Sequence, residues 1–203
     1  MHVDYFQVGA HVGPSEQDSV FDIVSERKTI VLIEPVPYLF NKLKENYAEK
    51  AKQNNIIFKD VAVSNKDSTI QLYVPSPHND WSVNPSYASQ LASVNEHHIN
   101  KHLPDLLVDK IHIPCYRLNT LIKDLDITSI DTLVVDTEGH DYEILMDLDL
   151  NILKPKTITF ENSHMDGTFV TGERYHRLME HFSLNGYTKF SEDKYDTTIK
   201  LTE

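Results

Sequence analysis

The chain has 203 residues, of which 31 are acidic and 19 basic, so its formal net charge is −12 with histidine neutral. Its 40% hydrophobic content is normal for a single globular domain. The acidic excess argues against nucleic acid or a membrane surface as partner, because both favour clusters of lysine and arginine.

The cysteine content and the lengths of the hydrophobic runs indicate the cellular compartment of the protein. The one cysteine, Cys115, cannot form a disulfide within the chain, which indicates a reducing, cytoplasmic location. No run approaches the ~18 apolar residues of a membrane-spanning helix, and the N-terminus lacks the pattern of a signal peptide. A strand is predicted almost at Met1, so we expect one domain over residues 1–203 that is either minimal or cut from a longer chain.

The first part of the chain alternates predicted strands with predicted helices. The predicted strands are 3–9, 29–34, 56–63 and an alternating edge strand at 70–74. The helices begin at prolines, which favour the first helical turn. They start at Pro14 and at Pro37, and the second is expected to run to about Lys52.

Residues 75–105 differ in character, with four prolines, four histidines and the only tryptophan. A connection of this length is either disordered or functional, and its aromatic content argues against disorder. We therefore predict a partly helical lid over a site. His97-His98 and His102 have the i to i+4 spacing of helical metal ligands, and a surface position or packing of the lid is the alternative.

The remaining chain continues the alternation. Strands are predicted at 110–118, 130–136, 156–161, 187–190 and 195–201, and helices at 118–125, 140–148 and 173–184. Strands that alternate with helices predict a doubly wound, mostly parallel sheet covered on both faces, as in Rossmann-like α/β proteins. The last two strands are expected to form a hairpin.

Glycines and carboxylates follow the ends of the predicted parallel strands. Ligands of such sheets bind beyond the carboxyl ends of the strands, where the strand order reverses. The residues expected on this rim are Gly9 to Gly13, Glu34, Asp60, Asp136 and Glu161. Their convergence predicts one ligand site.

The glycine turn favours one class of cofactor. The spacing of Gly9 and Gly13 lacks the close glycine pair that dinucleotides require for their pyrophosphate. S-adenosylmethionine (SAM) carries no phosphate, and one open turn suffices for its methionyl part. Glu34 is placed for the ribose hydroxyls, and Asp60 or the backbone near Val61 for the adenine edge. A cofactor-free fold with helix-capping carboxylates is the alternative.

A second group of residues suits proton transfer. Asp136 ends a very apolar strand, where a carboxylate costs stability unless it is paired or functional. Methyl transfer to an alcohol needs a base, and His140 and His164 are candidates, although a lone histidine is more often an ordinary hydrogen-bonded residue. Glu138 and Asp141 could instead cap the next helix.

Hard oxygen ligands follow two of these strands. The side chains of Asp136, Glu161 and Asn162 suit Mg²⁺ or Ca²⁺ rather than zinc. A single cysteine excludes a zinc site built from several thiolates, but not one built from histidines.

Four motifs resemble the FkbM family of SAM-dependent methyltransferases over nearly the whole chain. They are Gln7-Val8-Gly9-Ala10-His11-Val12-Gly13, Glu34-Pro35, Ala62-Val63-Ser64 and the stretch from Ile130-Asp131 to Asp136-Thr137-Glu138-Gly139. The chain departs from the family pattern at four positions: Gln7 replaces an acid, His11 an asparagine, Val134 a lysine and Asp141 a glutamate.

The resemblance implies a class I methyltransferase fold with a seven-stranded sheet and a lid insertion. It implies O-methylation of a sugar hydroxyl, with Mg²⁺ or another divalent ion at Asp136, Glu161 and Asn162 by analogy with related enzymes. The implied SAM-binding residues are Gln7, Gly9, Ala10, His11, Gly13, Glu34, Pro35, Asp60, Val61, Ala62 and Asp136. The implied catalytic residues are Asp136, Glu138, His140 and His164, and Trp81 and Tyr87 would stack on the sugar.

Two further classes stay open. One is a SAM-binding module without catalysis, which the departures at Gln7 and Val134 favour. The other is a methyltransferase for a small molecule that is not a sugar. For a sugar acceptor, we expect fusion to, or joint action with, glycosyltransferases.

Overall fold

The fold is built on two β-sheets in the computed structural model, which describes residues 1–13, 20–21, 25–167 and 169–202. In chain order the strands are β1 (His2–Val8), β2 (Thr29–Ile33), β3 (Asn55–Lys59), β4 (Ala62–Ser64), β5 (Ser68–Pro75), β6 (Val108–Arg117), β7 (Ser129–Val135), β8 (Thr157–Glu161), β9 (Tyr187–Glu192) and β10 (Asp196–Leu201).

The larger sheet has seven strands in the order β3-β2-β1-β7-β8-β10-β9. Strands β3, β2, β1, β7 and β8 are parallel, whereas β10 lies antiparallel between β8 and β9. This confirms the predicted doubly wound, mostly parallel sheet and the terminal hairpin. The strand order reverses between β1 and β7, so the expected ligand site lies beyond the carboxyl ends of these two strands.

Five α-helices are described, together with two short 3₁₀ turns. The helices are α1 (Pro37–Asn46), α2 (His98–His102), α3 (Leu118–Asp124), α4 (Asp141–Met146) and α5 (Glu173–Leu184), and the turns are Lys50–Lys52 and Ser86–Gln90. Helix α1 ends before the predicted Lys52, and the chain continues through the first of these turns. The helix predicted from Pro14 falls mostly outside the described residues.

The prediction of one strand over 56–63 is wrong. Strand β3 ends at Lys59, and the chain passes through Asp60 and Val61 into β4, which belongs to a second sheet of order β4-β6-β5. Asp60 is exposed, as suits a polar link between two sheets. The predicted edge strand at 70–74 is β5, and it forms an edge of this smaller sheet.

The segment 75–105 packs against the smaller sheet. It contributes Ala88, Leu91 and Ile99 to a buried cluster that Tyr73 of β5 joins from the sheet side. Tyr73 also exchanges two backbone hydrogen bonds of 2.9 Å with Ser93. These contacts hold the segment, with its 3₁₀ turn and α2, beside the carboxyl rim of the larger sheet.

The main hydrophobic core lies around β1, β7 and β8. Phe6, Leu133 and Phe160 are fully buried there, together with Leu178 and Phe182 of α5. No helix in the described ranges combines the length and the apolar character needed to cross a bilayer.

Candidate functional site

A cavity of about 750 Å³ opens at the carboxyl ends of β1, β2, β7 and β8. Residues from each of the four family motifs line it, together with Val61, Tyr87, His140, Glu161 and His164. Those residues are Gln7, Gly9, Ala10, His11, Gly13, Glu34, Pro35, Val61, Ala62, Tyr87, Asp136, Glu138, His140, Glu161 and His164. The structure therefore brings most of the predicted site residues to one cavity.

Both glycines of the turn after β1 adopt backbone conformations that L side chains rarely occupy. The φ angles are +82° at Gly9 and +86° at Gly13. A Cβ atom on Gly13 would lie 2.7 Å from Cε2 of Tyr47, which is fully buried in the neighbouring core. Glycine at these two positions thus follows from both the conformation and the space.

Glu34 is a buried carboxylate that already orients two loops. Its Oε2 accepts the backbone N–H of His11 at 2.9 Å, and its Oε1 accepts that of Val36 at 2.8 Å. Burial raises the pKa of Glu34 to about 7, while the two backbone hydrogen bonds act in the opposite direction. Each oxygen retains a lone pair, so the carboxylate can also accept hydrogen bonds from a ligand in the cavity.

Gln7 offers a second polar group at this end of the cavity. The residue is only 5% exposed, and its Oε1 has no hydrogen-bond partner in the described structure. A buried carbonyl oxygen without a partner costs free energy. A donor on a bound ligand would satisfy it.

His11 joins the glycine turn to the segment 75–105. Its backbone lies in the left-handed region, with φ at +48°, and its Nε2 lies 3.0 Å from Oγ of Ser89. Burial lowers the pKa of His11 to about 4, so this imidazole is neutral near pH 7. The contact links a predicted cofactor residue to the predicted lid.

Asp136 follows β7 directly and lines the cavity next to the glycine turn. Desolvation by the surrounding protein raises the pKa of its carboxyl well above the usual value, and the charges of Glu161, Glu138, Asp141 and Asp196 raise it further. Because like charges so close together disfavour full ionisation, this group of carboxyls favours a retained proton or a bound cation.

His164 is held by carboxylates at the end of β8. Its Nδ1 contacts Oε1 of Glu161 and lies 3.3 Å from Oε2 of Glu138. Glu161 Oε1 also accepts the hydroxyl of Ser163 at 2.6 Å. The hydrogen bond with Glu161 raises the pKa of His164, against an opposing effect of burial.

His140 and Asp141 have different roles in the loop after β7. His140 lines the cavity, and its Nε2 lies 2.8 Å from Oγ of Ser64, while burial lowers its pKa. Asp141 is completely buried and accepts hydrogen bonds from the Thr137 hydroxyl and from the backbone N–H of Glu161. Asp141 therefore ties the β7 loop to β8, which supports its structural interpretation.

Three predicted residues do not line the cavity: Asp60, Trp81 and Asn162. Asp60 is exposed, and Trp81 lies on the surface at 38% exposure. Asn162 is buried, and its amide donates to Oγ1 of Thr197 at 3.0 Å. Glu161 instead lies close to Glu138 and His164.

Sequence reasoning missed an aromatic pair at the cavity mouth. Phe169 and Tyr195 both line the cavity and meet edge to face, with ring centroids 5.9 Å apart. Lys194 lies over the Phe169 ring at 4.1 Å. Phe169 belongs to no regular element and Tyr195 to a hairpin turn, so no periodicity marks them. Only the fold brings them together.

Comparison with known proteins identifies the family. The sequence-family model of the methyltransferase FkbM domain matches residues 7–189 of this chain. The FkbM methyltransferase of Methylobacillus flagellatus KT superposes with a TM-score of 0.51 at 15% identity, covering 98% of this chain and 44% of that one. No curated protein matches the chain.

Two further solved structures have similar topology. Fibrillarin of Aeropyrum pernix, solved with natively bound SAM, has a TM-score of 0.49 at 12% identity, covering 97% of this chain and 65% of that one. The ribosomal protein L11 methylase of Lactobacillus delbrueckii subsp. bulgaricus has a TM-score of 0.48 at 10% identity, covering 100% and 72%. The chain thus spans less than half of the FkbM structure and about two thirds of these two.

The sheet order is that of the class I SAM-dependent methyltransferases, and the cavity lies where the strand order reverses. The family match covers most of the chain and includes the glycine turn and the carboxylate after β7. The chain therefore belongs to the FkbM family of methyltransferases.

Proposed function

We propose that this protein is a SAM-dependent O-methyltransferase that acts on a hydroxyl group of a sugar. One observation carries the proposal: a single cavity is lined by the glycine turn and Glu34, which form a cofactor end, and by the His164–Glu161 pair, with Asp136 next to Gly9. A cofactor site and a proton-accepting site thus share one cavity.

The cofactor end fits the parts of SAM. Glu34 is positioned for two ribose hydroxyls, Gln7 offers an unpaired acceptor for the methionyl ammonium, and Gly9 and Ala10 line the cavity between these residues in the chain. The carboxylates near Asp136 favour a positively charged sulfonium. When bound, SAM supplies an electrophilic methyl group.

The opposite end fits an alcohol acceptor. The hydroxyl proton must leave as the oxygen attacks, and a positioned base contributes roughly 10²–10⁴-fold to the rate. Glu161 holds Nδ1 of His164, which leaves Nε2 to accept a proton. Asp136 lies in the same negative region and can orient the hydroxyl. Glu138 and His140 line the same wall.

The aromatic residues at the mouth support a sugar. Tyr87, Phe169 and Tyr195 line the cavity and are about half exposed, at 48%, 51% and 46%. Exposed aromatic rings offer flat apolar surfaces, on which the C–H face of a sugar ring can pack. Asp193 and Asp196 in the neighbouring hairpin supply acceptors for sugar hydroxyls.

Metal assistance by Mg²⁺ belongs to the same proposal. Asp136 and Glu161 both line the cavity and present the oxygen atoms that Mg²⁺ favours. Asn162 does not line this cavity, so the proposal keeps Asp136 and Glu161 as the Mg²⁺ ligands.

The first test is calorimetric titration of the full chain with S-adenosylhomocysteine, the demethylated product of SAM. We expect micromolar binding. Transfer of a labelled methyl group from SAM is then measured against a panel of sugars and, in parallel, catechols and other alcohols that are not sugars. Absence of binding in a folded sample would overturn the cofactor assignment.

Substitution of Asp136 tests catalysis separately from binding. We expect Asp136→Asn to retain S-adenosylhomocysteine binding and to lose turnover, whereas Asp124→Asn, which changes an exposed carboxylate of α3, retains both. Binding without transfer to any acceptor would indicate the non-catalytic module. Transfer to non-sugar alcohols alone would overturn the sugar assignment.

A further inference from the structure

Two carboxylates and an imidazole converge at the junction of the β7 loop with the end of β8. Glu138, Glu161 and His164 each place one potential ligand atom within 4.8 Å of the other two. Nδ1 of His164 contacts Oε1 of Glu161 and lies 3.3 Å from Oε2 of Glu138. These side chains come from two different loops, so the fold assembles the cluster.

Helix α2 brings two more histidines to this cluster from the segment 75–105. Nε2 of His98 lies 3.7 Å from Oε2 of Glu138. The ring centroids of His98 and His102 lie 5.7 Å and 5.9 Å from that of His164. A smaller cavity of about 230 Å³ on this side is lined by His98, His102, Glu138 and His164. The cluster therefore separates two cavities.

Several atoms of the cluster are buried without a hydrogen-bond partner. They are Oε2 of Glu161, Oε2 of Glu138 and Nε2 of His98, and Glu161 is only 7% exposed. Buried polar atoms are normally hydrogen-bonded, and exceptions call for an explanation such as an ion. Oε2 of Glu138 lies between the nitrogens of His164 and His98 without bonding to either, so it is directed into the cluster.

The charges around the cluster are unbalanced. Within the described ranges, Glu138 and Glu161 form ion pairs with histidines and with no lysine or arginine. The carboxyl groups of Asp136 and Asp141 lie close to this pair of glutamates. Buried charges are stable when they are paired or coordinate a metal. A bound divalent cation would balance the negative charge of this region.

The donor types indicate which cation. Imidazole nitrogen combined with carboxylate oxygen suits Zn²⁺ and related first-row ions, whereas Mg²⁺ favours oxygen alone. Around a tetrahedral ion with bonds of about 2.0–2.1 Å, neighbouring ligand atoms lie ~3.3 Å apart. The distance between Nδ1 of His164 and Oε2 of Glu138 is 3.3 Å.

We propose that Glu138, Glu161 and His164 bind a divalent transition-metal ion, with Zn²⁺ as the reference ion and His98 as the fourth ligand. The ion would take the place of the proton between His164 and Glu161, so that binding releases a proton. Since His98 belongs to α2, the ion would also fix the segment 75–105 to the rim of the sheet. This site would replace the Mg²⁺ set of Asp136, Glu161 and Asn162 expected from sequence, because both sets need Glu161, and titration with the two ions decides between them.

The test is calorimetric titration of the full chain with Zn²⁺ alone. No cofactor or acceptor is present, so failure of the metal site and failure of the proposed methyl transfer are distinguishable. We expect one ion per chain, bound more tightly than Mg²⁺. His98→Ala should weaken binding by at least ~10-fold, and His164→Ala and Glu138→Gln by more than the ~10- to 100-fold typical of an outer partner.

Two control variants test whether Zn²⁺ binds at this cluster or at other histidines of the chain. His112→Ala removes an exposed histidine of β6, and His2→Ala disrupts the other described His/carboxylate group, which includes Asp4 and Asp131. Both should bind Zn²⁺ as the unmodified chain does. Circular dichroism verifies that each variant folds. If His164→Ala fails to fold, the near-isosteric Glu138→Gln still measures the contribution of the cluster to Zn²⁺ affinity.

Three results would overturn the proposal. The first is no saturable Zn²⁺ binding by the folded chain. The second is unchanged affinity in both His164→Ala and Glu138→Gln. The third is tighter binding of Mg²⁺ than of Zn²⁺. Visible absorption of a Co²⁺-loaded sample, with the strong bands of four-coordinate cobalt, would support the ligand geometry independently, and their absence would contradict it.

Discussion

The backbones of Gly9 and Asp136 touch: a Cβ atom on Gly9 would lie 1.8 Å from the carbonyl oxygen of Asp136. In addition, the backbone N–H of Asp136 donates to the carbonyl of Val8 at 3.0 Å. The loops after β1 and β7 are thus in direct contact where the strand order reverses. This contact places Asp136 beside the glycine turn.

Substitution of Gly9 tests this contact. We expect Gly9→Ala to lower the free energy of unfolding by about 2–5 kcal/mol, from backbone strain and steric overlap together. Gly186→Ala is the matched control, because its φ of +91° is similar but its nearest neighbour lies at 3.7 Å. The control should lose only about 1–2 kcal/mol. Equal losses in urea unfolding would show that the contact with Asp136 is unimportant.

The sequence alone predicted the helices and strands whose residues follow a regular local pattern. Helix α5 begins at Glu173 and ends at Leu184 as predicted, and the carboxylate after each buried strand indicated the rim. Gly9, Glu34, Asp136 and Glu161 accordingly line one cavity. These features depend on periodicity and on strand direction, both of which are visible in one sequence.

Features that depend on distant contacts could not be predicted. The apolar residues around Asp60 suggested one strand, whereas the chain changes sheets there. The cluster of Glu138, Glu161 and His164 unites residues up to 26 positions apart, and Phe169 meets Tyr195 across a similar separation. No spacing rule connects such residues until the sheet order is known.

Protonation of Glu34 predicts a pH dependence of stability. Its folded pKa of about 7 lies above the ordinary value of 4.5, so the folded state holds a proton that the unfolded state releases in this window. Stability therefore falls as pH rises from about 4.5 to about 7. We expect Glu34→Gln to lack this part of the decline when urea unfolding is measured across the window.

The control for Glu34 is Glu26→Gln, which changes an exposed carboxylate. This variant should keep the pH profile of the unmodified chain. If Glu34→Gln and the unmodified chain lose stability in parallel between pH 4.5 and 7, folding does not change the pKa of Glu34. The raised pKa would then be wrong.

The hydrogen bond between His11 and Ser89 predicts local coupling of the glycine turn to residues 75–105. A neutral hydrogen bond contributes about 0.5–1.5 kcal/mol, so Ser89→Ala should speed hydrogen exchange in the 3₁₀ turn Ser86–Gln90 by roughly 2- to 12-fold. Ser82→Ala is the control, since Ser82 bonds Asp80 within the same segment. Unchanged exchange in Ser89→Ala would show that the bond does not restrain this turn.

Substitution of Phe169 tests whether the aromatic residues at the cavity mouth bind the acceptor. Its ring is 51% exposed, lines the cavity and packs against Tyr195. Loss of an aromatic contact of about 0.5–1.5 kcal/mol should raise the KM for a sugar acceptor by roughly 2- to 12-fold in Phe169→Ala. The kcat and the affinity for S-adenosylhomocysteine should change little, because the ring would contact the acceptor alone.

Phe190→Ala, which removes an exposed ring of β9 that does not line the cavity, should leave all three values unchanged. A fall in kcat without a rise in KM would place Phe169 in the chemical step and contradict its assignment to acceptor binding.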